Sequence, residues 1–211
     1  FDATRWRSLA DPQNVRKGTL ITLGFDGARR RDATALVGTV VRSGYQFTLG
    51  IWETPPNVED YAIDEGEVDR AVTAAFDRFT VWRMYADPPY WEEAVARWQG
   101  RWGDQVVVDW WTNRLKQMAY ALREYRAGMT TGAVSHDNDP VMNEHIGNAR
   151  RLQLKIVDDE NKPLWVIRKE RHDSPKKIDG SMAGTLSWKA RLDAIAAGAL
   201  KPQRSKVMRT R

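Results

Sequence analysis

The sequence predicts an α/β domain with a central mixed β-sheet flanked by helices and an extra β-hairpin. Three observations carry this prediction. Short apolar, β-branched runs follow one another early in the chain, strand-like and helix-like patterns then alternate, and a long segment rich in small and apolar residues closes the chain. The 211 residues suit one such domain with a full hydrophobic core.

Residues 20–25 (LITLGF) are a short apolar run, and residues 35–41 and 46–52 follow with a Ser43-Gly44 turn between the latter two. This is the pattern of consecutive antiparallel strands. Prolines 55 and 56 end that sheet segment. Over residues 63–79, Val68, Val72, Ala75, Phe76 and Phe79 recur at helical spacing, so one helix face is expected to be buried. Residues 81–86 (VWRMYA) read as a strand stopped by Asp87-Pro88-Pro89, with a helix over 90–98 after it. A short strand over 105–108 precedes an amphipathic helix over 112–126, with Leu115, Met118, Ala119 and Leu122 inward and Gly128 closing it. A further helix is expected over 138–149. Runs at 152–157 and 164–168 flank a polar turn and predict the hairpin, and residues 177–200 predict the long closing helix.

The absence of cysteine excludes disulfides, thiolate metal sites and cysteine nucleophiles, so a metal must sit on carboxylates or imidazoles. No apolar stretch approaches the roughly 20 residues that span a bilayer, and the start lacks a signal-peptide layout. A soluble protein, neither secreted nor membrane-spanning, is therefore expected. The formal net charge of +5 suits a polyanionic partner without requiring one. Basic residues gather at Arg29, Arg30 and Arg31, around Arg168 to Lys177, and in the tail. No G-x-x-x-x-G-K-[ST] loop occurs, so the chain by itself is not a nucleotide motor. Residues 1–19, polar and without a clear period, read as a connection from a longer polypeptide; residues 20–200 form the domain and 201–211 a basic, flexible tail.

Three aspartates stand in chemically special places. Asp26 follows the first strand, Asp87 ends the strand over 81–86, and Asp179 opens the last helix. In open α/β sheets functional groups collect at strand ends. Carboxylates brought together repel one another unless a cation neutralises them, so three together make a site for hard divalent ions such as Mg²⁺ or Mn²⁺. Two such ions about 3.5–4 Å apart can activate a water and support an in-line displacement at phosphorus, which is nuclease chemistry. Taken singly, each acid reads better as an ordinary turn former or helix cap, and only the three together point to a site.

Four stretches in order resemble the C-terminal nuclease domain of tailed-phage terminase large subunits, a branch of the ribonuclease H-like fold. They are Gly24-Phe25-Asp26-Gly27 with Asp32-Ala33-Thr34-Ala35; Tyr85-Ala86-Asp87-Pro88; His136-Asp137-Asn138-Asp139-Pro140-Val141 with Asn148-Ala149; and Lys177-Ile178-Asp179-Gly180-Ser181-Met182-Ala183. The resemblance covers about residues 18–198. It implies that Asp26 bridges two divalent cations, Mg²⁺ or Mn²⁺, while Asp87 and Asp179 each complete one side. For Asp32 two readings stand: a place in the metal shell, directly or through water, or a salt bridge to a neighbouring arginine. Arg29, Arg30, Lys176 and Lys177 are the expected DNA contacts, each also readable as a solvated charge. His136 has two readings, a group for proton transfer or occasional metal ligation and, favoured by its polar surroundings, a surface-loop residue; His145 and His172 share no metal-ligand spacing with it. The tryptophans clustered in the middle of the chain are assigned to packing, and the hairpin, bearing Lys155, Lys162 and Arg168, is a candidate arm along the duplex.

The resemblance implies an endonuclease that hydrolyses double-stranded DNA with little sequence preference. Its expected partners are an ATPase domain of the same subunit, the small terminase subunit and the portal, in the host cytoplasm during phage assembly, with a monomer in isolation. The alternatives are a junction resolvase or ribonuclease using the same acids, and, further off, a carboxylate-pair glycoside hydrolase or a DNA-binding module that does not cut.

Overall fold

The computed structural model describes residues 1–28, 30, 32–55, 58, 61–171 and 174–201. In chain order the elements are α1 (Ala3–Arg7), β1 (Leu20–Gly27), β2 (Ala33–Val40), β3 (Tyr45–Glu53), α2 (Glu65–Arg78), β4 (Thr80–Ala86), α3 (Glu92–Trp102), β5 (Val107–Asp109), α4 (Leu115–Thr131), β6 (Ser135–His136), α5 (Pro140–Asn148), β7 (Arg150–Val157), β8 (Pro163–Arg168) and α6 (Asp179–Ala196). A six-stranded sheet runs β5-β4-β1-β2-β3-β6, and β7-β8 form a separate hairpin. The sheet is mixed, as expected: β1, β2 and β3 are antiparallel neighbours, whereas β4 joins β1, β5 joins β4 and β6 joins β3 in parallel.

Alternation along β1 sets the layers, because successive side chains point to opposite faces. Ile21, Leu23 and Phe25 are buried in a cluster with Val68 and Val72 of α2 and Val95 and Trp98 of α3. Phe25 meets Trp91 and Trp98 edge-on, at 5.4 and 5.2 Å between ring centroids. Thr22, Gly24 and Asp26 point the other way, towards α6. Thr22 Oγ1 donates to Ser187 O at 2.8 Å, and a Cβ on Gly24 would lie 2.0 Å from Ala183 O and 2.4 Å from Ser187 N. Only a glycine lets strand and helix backbones approach so closely.

Helix α6 is buried on nearly every side because its residues are small: Ser181, Ala183, Gly184, Thr185, Ser187 and Ala190 all lie within the structure. A satisfied polar network joins it to the sheet. Gln46 Nε2 donates to Gly184 O at 3.0 Å and lies 3.1 Å from Thr39 Oγ1 and Ser187 Oγ, while Tyr125 OH donates to Gln46 Oε1.

Several sequence expectations are corrected. Helix α4 runs past Gly128, whose missing side chain makes room for the Trp188 ring 2.5 Å from where a Cβ would sit. The helix stops instead at Gly132, left-handed at φ 76°, with Ala133 N donating back to Gly128 O at 2.9 Å. The leading segment packs on the domain. Asp2 caps α1, and Trp6, 1% exposed, stacks on His136 at 3.8 Å. His136 is accordingly buried in β6, not on a surface loop; its Nε2 meets Trp6 O at 2.8 Å and its Nδ1 accepts from Asn138 N at 3.1 Å. Burial holds that imidazole below its ordinary pKa. Of the clustered tryptophans, Trp91, Trp98 and Trp110 are buried, and Trp82, Trp102 and Trp111 are half-buried.

Candidate active site

Strand register brings the first two acids together. β1 and β4 are parallel with Phe25 opposite Ala86, so Asp26 and Asp87 are the next residues on adjacent strands. Asp87 N donates to Phe25 O at 3.0 Å, which carries the pairing one step beyond the last registered pair. Asp26 faces α6 by the alternation of β1, and the close contact at Gly24 holds α6 against that strand. Asp179, the first residue of α6, is thereby set over the same end of the sheet. Asp26 and Asp179 are each 8% exposed and Asp87 is 9% exposed, so these acids are buried and do not project freely into solvent.

The charges act on one another. Burial pushes the Asp26 carboxyl well above the usual carboxylate range, and the charges of Asp179, Asp87 and Asp32 push it further. Burial, then the Asp32 charge, raises Asp179 to about 8. Burial raises Asp87 too, against the pull of Thr112, whose backbone N–H donates to Oδ1 at 3.1 Å and whose hydroxyl donates to Oδ2 at 2.6 Å. Asp32 moves the opposite way: burial would raise it, but the Lys169 ammonium on Oδ2, and Lys177 3.6 Å from Oδ1, hold it below the ordinary value.

This donor set suits a hard cation. It is all oxygen and largely buried, its members repel one another, and Asp179 Oδ2 is buried with no hydrogen-bond partner. Among the described residues no group of three or more His, Cys, Asp or Glu side chains stands already placed to hold a metal ion. Thr112 engages both oxygens of Asp87, and Lys169 and Lys177 engage Asp32.

The expected DNA contacts separate. Arg29 and Arg31 lie outside the described residues, as do His172 and residues 202–211 of the tail, and Arg30 is exposed. Lys176 turns to Glu170 at 3.1 Å, whereas Lys177 turns into the acidic cluster. Among the described residues the ion pairs of Asp32 run to Lys169 and Lys177; of the neighbouring arginines of the second sequence reading, Arg29 and Arg31 lie outside the described residues. Three residues of this site were not singled out from the sequence. Thr112 carried no signal beyond its place after β5; Lys169 lay within a basic run that did not reveal which member points inward; His145, described below, was a lone histidine on a helix.

No family model matches the chain. It is 31% identical over 190 residues to the Gene 13 protein of Mycobacterium phage L5, covering 86% of this chain and 31% of that protein. It is 32% identical over 188 residues to the Gene 13 protein of Mycobacterium phage D29, covering 85% and 30%. The chain thus spans about a third of the length of the curated relatives it matches. Among solved structures, the large terminase of bacteriophage HK97 superposes with a TM-score of 0.65 at 18% identity, covering 90% of this chain and 43% of that one. The large terminase nuclease of thermophilic phage G20c superposes with a TM-score of 0.59 at 14% identity, covering 88% and 96%. The G20c nuclease has also been solved with bound magnesium, cobalt and zinc. The chain therefore has the ribonuclease H-like fold of the nuclease domains of phage large terminases, the family its motifs resemble.

Proposed function

We propose that this chain is the metal-dependent endonuclease domain of a DNA-packaging large terminase subunit, cutting double-stranded DNA with little sequence preference. The observation that carries the reading is the convergence of Asp26, Asp87 and Asp179 at one end of the sheet, buried, mutually repelling and with one carboxylate oxygen unpartnered. The metals bound to the G20c nuclease are in keeping with it.

Asp26, Asp87 and Asp179 would hold divalent cations, Mg²⁺ or Mn²⁺. Such cations supply charge neutralisation and Lewis acidity for hydrolysis of a phosphodiester. The protein's own part is positional and electrostatic. Thr112 fixes the direction of the Asp87 carboxylate through both oxygens. Lys169 and Lys177, largely buried beside the acids, place ammonium groups where a DNA phosphate would arrive, with Asp32 holding them until it does. Phosphate contacts of this kind carry no base information, hence the low sequence preference. An ATPase portion of the same subunit, a small subunit and a portal are the partners this reading entails, with host cytoplasm as the place of action.

The test is cleavage of supercoiled plasmid by the purified chain in Mn²⁺ or Mg²⁺. Conversion to nicked and linear forms is expected, abolished by chelator and by Asp26→Ala. Cutting that persists in either control would overturn the proposal.

A further inference from the structure

Helix α6 begins at Asp179 without a cap of its own, since Ile178 at the N-cap makes no side-chain hydrogen bond. First-turn N–H groups of a helix need partners. The partner of Gly180 N comes from another element: His145 Nδ1, on α5, at 2.8 Å. A backbone N–H can only donate, so Nδ1 is the acceptor and the ring proton sits on Nε2, 3.0 Å from Glu53 Oε1. The His145 ring is 1% exposed. Three residues further along α5, and so on the same helix face, Asn148 Nδ2 donates to Lys177 O at 3.1 Å. One helix therefore grips the backbone on both sides of Asp179. The fit at Gly180 is close: a Cβ there would lie 2.9 Å from His145 Nδ1 and 3.0 Å from Met142 Sδ.

We propose that His145, oriented by Glu53, is a positioning residue that aims the Asp179 carboxylate into the cation site. This rests on the metal-dependent reading above. Asp179 Oδ2 has no hydrogen-bond partner, and the carboxyl otherwise meets Asp32 and its own backbone N–H; where those contacts aim it depends on how the start of α6 is held, and that backbone is gripped at the Gly180–His145 bond. Glu53 ends β3 and the following residue, Thr54, donates through Oγ1 to Asp32 O at 3.2 Å. The dyad thus links the strand beside Asp32 to the helix that carries Asp179. Loss of a group that orients a metal's ligands typically costs about 10- to 100-fold in metal affinity.

The test measures Mn²⁺ affinity by titration calorimetry, and exchange of the Gly180 amide by NMR in chelator, for the wild type, His145→Phe, His145→Asn and Gly180→Ala. Phenylalanine keeps the ring and loses the acceptor. It is expected to weaken Mn²⁺ binding about 10- to 100-fold and to speed Gly180 exchange. Asparagine returns an acceptor near the Nδ1 position and is expected to restore most of both. Gly180→Ala breaks the same contact from the helix side and should behave like phenylalanine, which keeps the test available if His145→Phe does not fold. A folded His145→Phe or Gly180→Ala chain that binds Mn²⁺ like the wild type overturns the positioning role, as does an asparagine variant no better than phenylalanine. Mn²⁺ binding that is absent from the wild type, or unaffected by Asp26→Ala, instead overturns the cation-site reading on which the role depends.

Discussion

Replacing Asp179 by asparagine should stabilise the fold without cations and weaken it, relative to wild type, with them. In the unfolded chain this carboxyl ionises at the ordinary value of 3.8, and in the fold burial and the Asp32 charge raise it to about 8. The folded state keeps a proton that the unfolded state has lost, so the contribution is full below about pH 4 and is lost as pH rises through about 8. Each tenfold change in proton affinity is worth about 1.4 kcal/mol. The span from 3.8 to about 8 therefore has a ceiling on the order of 6 kcal/mol. Asp26 shares the same repulsion, so about 2 kcal/mol is expected from Asp179 alone. At about 2–4 °C per kcal/mol for a domain of this size, the melting midpoint moves by about 4–8 °C. The assay is thermal unfolding by circular dichroism in chelator at about pH 5 and about pH 8. The wild type should lose about 4–8 °C more than Asp179→Asn on going from acid to alkali, and excess Mg²⁺ should restore the wild type but not the variant. Parallel pH dependences for the two proteins in chelator would refute the reasoning.

Three further outcomes follow from packing and charge. Gly24→Ala forces a Cβ into the backbone of Ala183 and Ser187, so α6 must retreat from β1 at a cost of about 3 kcal/mol or more; an unchanged midpoint would contradict the close approach. Trp6→Ala removes a side chain that stacks on His136 and donates to Asn143 Oδ1, and should cost about 3–5 kcal/mol in urea unfolding. A loss below about 1 kcal/mol would mean that the leading segment is not integral to the domain. Lys169→Ala, assayed in chelator so that no cutting occurs, should weaken binding to a DNA duplex and reduce the slope of log affinity against log salt by about one; an unchanged slope would place this ammonium away from phosphate.

Alternation and breakers made the elements around the acids legible. The run ending in Gly24-Phe25-Asp26 and the strand cut short by Pro88-Pro89 state their own ends, and the small residues after Asp179 state that a helix is to be buried. Contacts made across long stretches of chain were not legible. His136 looks like a loop residue because its strand is two residues long and because the ring covering it belongs to Trp6, 130 residues away. Asp32 pairs with Lys169, 137 residues away, and with Lys177, and no local rule points to them. Gly128 and Gly132 both offer a helix stop, and only the Trp188 ring packed against the first decides between them. His145 acquires meaning only once α5 and the start of α6 are seen to meet at Gly180.

The central claim is that the acids gathered at the end of β1 and β4 hold divalent cations. It is tested most directly by soaking crystals of the chain in Mn²⁺ and collecting diffraction near the manganese absorption edge. Anomalous density is expected within ligand distance of Asp26, Asp87 and Asp179, and is expected to vanish in Asp26→Ala crystals. Manganese bound elsewhere with none at these acids, or density there that survives the substitution, would contradict it.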